Sequence, residues 1–243
     1  VCVDSLKGAI LAQSLGADRL ELCANLSIGG TTPSAGLLQK VRAAVQIPVH
    51  VLIRPRGGDF LYHDAEIESM LADIAFAKTE GAEGIVSGTL TPAGAVDEEI
   101  TRVLIQSARP LPFTFHRAFD HCREPLKALA GLKELGIQHL LTSGQALTAL
   151  DGISLLRELK RIAEEVSIMP GGGISPANIG QILTALQPQA IHFSGTRRVS
   201  SAMIHSSSIR MGAEDHTASK LVTDPVRLEK LISAVRYWEA THI

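Results

Sequence analysis

At 243 residues with 45% hydrophobic content, the chain can bury a large core, and an α/β barrel of about 250 residues forms one domain. A net charge of −2, with 20% charged residues, supplies no basic field for nucleic acid or an anionic membrane. No apolar run approaches the roughly 18 residues a membrane span needs, and an odd count of three cysteines reads as free thiols in the cytoplasm.

The chain opens abruptly in a strand-like VCVD (1–4), which leads us to expect a few residues ahead of it. Further strand candidates follow as RLELC (19–23), PVHVLIR (48–54), GIVSG (84–88), PFTFHR (112–117), HLLTS (139–143), VSIMP (166–170) and AIHFS (190–194). Between them lie helical patterns. Thr32 or Ser34 caps the start of one, and residues 65–81 repeat apolar side chains every three or four positions before Gly81. Residues 123–136 behave alike, and 175–186 opens with Ser175 as N-cap and Pro176 at N1. Eight strand–helix units spaced by roughly 20–35 residues predict a single (β/α)8 TIM barrel over 1–243; a doubly wound open sheet is the alternative. Residues 195–220 form a serine-rich connection long enough to be either functional or disordered. A last helix starts at Asp224 and Pro225, with Trp238 as its packing anchor.

Strand side chains alternate faces, and in such a barrel the outer face packs against helices. Placing Val3, Leu20, Leu22, Val49, Val51, Ile53, Phe113 and Phe115 outward turns Cys2, Glu21, Cys23, His50, Arg54, Thr114 and His116 inward. The same parity turns His192 and Ser194 inward on the eighth strand. Barrel interiors are ordinarily filled with Val, Ile and Leu. Buried ionisable groups cost several kcal/mol unless paired or coordinating, so this set marks a binding or catalytic site. A polar core satisfied from within is the competing expectation, with Glu21 on Arg54 and Arg56 on Asp59 or Asp120.

Two glycine-rich turns, MPGGGI after the seventh strand and FSGTRR after the eighth, stand where such barrels bind phosphate. Tight turns alone would also explain them. In the ligand reading Gly171, Gly172, Gly173, Ser194 and Gly195 cradle the anion, with Arg197 or Arg198 nearby. Arg54 and Arg56 of RPRGGDF neutralise its charge. Glu21 and His116 are the acid–base pair of a lyase or isomerase type of enzyme acting on a small anionic or phosphorylated metabolite, with Arg54 beside them. His50, His116 and His192 offer nitrogen ligands, but no HxH or HExxH spacing accompanies them.

VCVDS, GADRLELCANLSIGGTTPSAGLL, IPVHVLIRPRGGDFLY, FTFHRAFD, LTSG and MPGGGI resemble the CutC family, named for copper homeostasis. That resemblance runs nearly end to end and implies a TIM barrel, a cytoplasmic homo-oligomer (dimer or tetramer) and copper binding. It places Cu(I) on Cys2 and Cys23, whose soft thiolates suit that ion, and leaves Cys122 incidental. Where the family carries a glutamate in the eighth strand this chain has Ala190, while His192 remains.

Overall fold

The computed structural model describes residues 1–205 and 219–242. Runs rich in Val, Ile, Leu and Phe, buried on both faces, form parallel strands covered by helices. They are β1 (Cys2–Val3), β2 (Leu20–Leu22), β3 (Val49–Leu52), β4 (Gly84–Ser87), β5 (Phe113–Phe115), β6 (His139–Thr142) and β7 (Ser167–Pro170). Each pairs in parallel with the next, giving a seven-stranded sheet in chain order. The helices between them are α1 (Leu6–Ser14), α2 (Ala35–Ala44), α3 (Asp64–Thr79), α4 (Glu98–Ala108), α5 (Pro125–Leu135), α6 (Ile153–Ile162) and α7 (Ile179–Leu186). Ser34 caps α2 by accepting from the Leu37 N–H. Gly81, at φ +79°, turns the chain out of α3.

The strand expected over 190–194 is reduced to a bridge. His192 donates its backbone N–H to Pro170 (2.9 Å), and Phe193 accepts from Cys2 (2.9 Å). Pro170 explains the missing ladder. Its carbonyl faces this segment, so its N–H would have faced it too, and proline has none to give. The segment therefore touches both β7 and β1 without forming a continuous strand.

The helix expected from Ser175 begins later, at Ile179. Asn178 holds the approach by accepting from the Ser175 N–H and donating to the Gly173 carbonyl. The connection over 195–220 is also more ordered at its ends than its composition implies. Thr196–Ser200 (β8) and Ser219–Thr223 (β9) pair antiparallel, and α8 (Pro225–His242) follows. The middle of that connection, 206–218, lies outside the described residues.

The apolar material divides in two. Val3, Leu20, Leu22, Val49, Val51, Ile53, Phe113 and Phe115 belong to the main core between sheet and helices, which Trp238 also packs against. Inside the curve of the sheet, Cys2, Cys23, Leu52 and Val86 make a separate small cluster. The strand parity read from the sequence is the parity observed.

Candidate functional site at the C-terminal ends of the strands

Cys2 lies opposite Glu21 in the β1–β2 register, so Cys23, two residues on, shares their face. The two sulfurs meet diagonally at 3.6 Å. Cys23 Sγ also approaches the Val3 carbonyl at 3.5 Å. Gly30 closes the loop after β2 over this pair. A Cβ there would stand 2.7 Å from Leu52 and 3.4 Å from Cys23, and φ is +90°. The Cys23 hydrogen bond and then burial raise the Cys2 thiol well above its ordinary range.

Glu21 does not pair with Arg54, nor does it bond His116. Its Oε1 lies 3.1 Å from Nε2 of His192, on the bridging segment. Burial works against both charges, yet their mutual attraction prevails: the Glu21 carboxyl is held down and the His192 imidazolium is held up. A sulfur of Cys2, an oxygen of Glu21 and a ring nitrogen of His192 all lie within 4.8 Å of one another. Sequence reasoning had His192 facing inward but missed this partner. Its signal is the Gly171–His192 bridge, which cannot be read before the sheet order is known.

Arg54 is buried and engaged with backbone. Its Nη1 donates to the carbonyls of Ile28 (2.9 Å) and Gly30 (2.8 Å), and Nη2 donates to Gly58 (2.9 Å). Its guanidinium lies 5.0 Å over the Phe60 ring. Arg54 thus ties the loop after β2 to the loop after β3. Arg56 meets Asp59 and Glu66 and donates to the Leu61 carbonyl, joining its own loop to the first turn of α3. It stands outside the cavity described next. Asp120, offered as another partner for Arg56, instead takes Arg117 and the Ser143 N–H.

A cavity of about 570 Å³ opens at this end of the sheet, with Cys2, Glu21, Arg54, His116, Gly172 and Ser194 among its walls. Gly173 and Gly195 line it as well, whereas Gly171 sits in the bridge with His192 and does not. Arg197 pairs with Asp224 and Arg198 donates to Ser219, so neither lines the cavity. At the opposite end, a second cavity of about 640 Å³ is walled by Val1, Arg19, His50, His139 and Trp238. There burial, then Arg19, holds the His50 imidazole down to about 3. Of the three histidines proposed as nitrogen ligands, His116 lines the upper cavity, His50 the lower one, and His192 both.

The CutC family model matches residues 1–197. The human copper homeostasis protein cutC homolog is 48% identical over 235 residues, covering 95% of this chain and 86% of its own length. A CutC family protein of Glaesserella parasuis is 39% identical, with 97% of each chain covered. Among solved structures, the CutC protein of Streptococcus agalactiae superposes with a TM-score of 0.74 at 32% identity, over 79% of this chain and 95% of that one. Phosphoribosylanthranilate isomerase from Thermotoga maritima, at 12% identity and a TM-score of 0.58, covers 98% and 97% of the two chains and shares the fold alone.

Proposed function

This chain belongs to the CutC family, and we propose that it binds Cu(I) as cargo between Cys2 and Cys23. The observation that carries the reading is the pair of buried thiols 3.6 Å apart, set among Leu52 and Val86. Two soft sulfurs in an apolar pocket favour Cu(I) over harder ions. Both sulfurs must shed protons to bind as thiolates, and the raised Cys2 thiol makes that proton release costly at low pH. The His192 imidazolium, close to Cys2, offsets the negative charge a copper dithiolate leaves behind.

We also read residues 190–194 as the eighth stave of a closed (β/α)8 barrel, with its ladder interrupted by Pro170. The three free thiols fit a cytoplasmic setting. A homo-oligomer is the assembly that family membership leads us to expect.

A Cu(I) titration against a competing chelator tests the copper reading. One equivalent should bind the parent protein and be lost in Cys2→Ser and in Cys23→Ser, with protons released on binding. Equal affinity in the double variant would overturn the assignment. Zn(II) serves as the contrast, because Cys2, Glu21 and His192 offer it mixed donors without Cys23.

A further inference from the structure

The cavity at the C-terminal ends of the strands is biased to one sign of charge. Arg54, Arg117 and Arg227 line it together with His116 and His192, against one carboxylate, Glu21, already facing His192. The chain as a whole carries −2, so the positive wall is a local arrangement. A concave site of one sign concentrates ligands of the other.

Hydrogen-bonding capacity shows the same bias. Arg54 and His116 are each 5% exposed, yet Arg54 Nε and His116 Nε2 have no partner among the described residues. The Ala118 N–H donates to His116 Nδ1 (3.3 Å), which leaves the ring proton on Nε2. Burial, then Arg54, keeps that imidazole neutral, with its pKa lowered to about 4. Both orphans are donors. An unsatisfied buried donor costs about 1–3 kcal/mol, so the missing component is an acceptor.

The backbone supplies more donors. The N–H groups of Gly173, Ser194 and Gly195 make no hydrogen bond among the described residues, while that of Gly172 belongs to the bridge with His192. The Gly171–His192 bridge sets these two stretches alongside each other. Gly172 is at φ +101°, and a Cβ there would stand 3.1 Å from the Arg117 guanidinium carbon. Only glycine lets that side chain lie against the loop. Arg117 uses Nε on Asp120 and Nη2 on Ser143. Its Nη1 has no partner among the described residues.

We propose that this cavity binds a small organic phosphate, held by the amides of Gly173, Ser194 and Gly195 together with Arg117 and Arg227. Three amides, Arg117 Nη1 and the Arg227 N–H groups not given to the Thr196 carbonyl exceed what a two-oxygen carboxylate can accept, and a phosphoryl group satisfies more of them. The carbon skeleton lies on Leu26, Leu52 and Leu141, and an oxygen at its far end meets His116 and Arg54. A volume of about 570 Å³ is in the range of small-molecule sites. Here the anion is met by the loop amides with Arg117 and Arg227, and Arg54 keeps only its Nε for the far end. Its anion donors include no thiol, although Cys2 lines the same cavity.

The experiment is calorimetric titration of the full chain with inorganic phosphate, glycerol 3-phosphate and, as the carboxylate control, lactate. Glycerol 3-phosphate should bind saturably and more tightly than inorganic phosphate, with lactate weakest. Arg227→Gln, at an exposed position of α8, should weaken it about tenfold, a loss of ~1.4 kcal/mol, with Tm unchanged. Arg117→Gln should weaken it further while leaving the Cu(I) equivalent intact. No saturable binding below ~10 mM, lactate equal to the phosphate ester, or affinity unchanged in both arginine variants would each overturn the proposal.

Discussion

Glu21 and His192 face each other at 3.1 Å across the inside of the sheet, one from β2 and the other from the segment bridging β7 and β1. The pair links the first strands of the sheet to the segment that follows its last one. Its titration is visible as stability. The His192 pKa is raised to about 9, so its contribution is full below the ordinary value of 6.5 and disappears as pH climbs through 9. The Glu21 pKa is lowered to about 2, so its share is present above 4.5 and lost as pH falls through 2. His192→Gln strands a buried carboxylate, at a cost of about 3–5 kcal/mol. Denaturant melts near pH 6 should show that loss, and melts near pH 10 a smaller one. A penalty independent of pH would mean that the two groups are not an ion pair.

Arg54 and Arg56 are close in sequence and opposite in consequence. Arg54→Ala leaves the carbonyls of Ile28, Gly30 and Gly58 without their donor, for a loss of about 3 kcal/mol or more. Arg56→Ala removes partly exposed pairs with Asp59 and Glu66 and should cost clearly less, about 1 kcal/mol. Thermal melts of both variants decide this, and equal losses would refute the separation.

Gly84 is glycine because His50 occupies the place of its side chain. A Cβ at Gly84 would stand 2.4 Å from the imidazole. Gly84→Ala should therefore destabilise by about 1–3 kcal/mol, and adding His50→Ala should recover much of it. A double-mutant cycle with additive losses would show that the ring is not the obstacle.

Mild oxidation with diamide should join Cys2 to Cys23, the oxidant taking up two electrons and the two thiol protons. Cys122 should survive because its sulfur faces the Gln145 amide at 3.4 Å, whereas Cys2 and Cys23 face each other. Thiol counting after denaturation should fall from three to one and stay at three when Cu(I) is bound first. Cys122→Ser should leave the copper stoichiometry unchanged. Loss of an equivalent in that variant would redirect the metal away from the Cys2–Cys23 pair.

The seven strands were legible because apolar residues packed against helices leave a strict alternation, as at Val49, Val51 and Ile53 around His50 and Leu52. The same alternation put Cys2, Glu21, Arg54 and His116 inside. What it could not carry was lateral pairing. Whether Glu21 meets Arg54 or His192 depends on which segment closes beside β1, and that is a property of sheet order. The backbone contacts of Arg54 were illegible for a related reason. A guanidinium near glycines can hold a ligand or the glycines' own loops, and only the carbonyl directions at Ile28, Gly30 and Gly58 distinguish them. The eighth strand failed on a residue in another strand, Pro170, whose missing N–H is a local fact with a distant effect.

The separation of the apolar material has an evolutionary reading. Most of the apolar burial among the described residues lies outside the sheet, between strands and helices, while the interior holds a small cluster around Cys2 and Leu52 and a few further apolar side chains such as Leu141. A lineage can then exchange interior side chains, and with them the ion or metabolite handled, while losing little of the cohesion that keeps the chain folded. The candidate site and the main core sit here on opposite faces of the same strands.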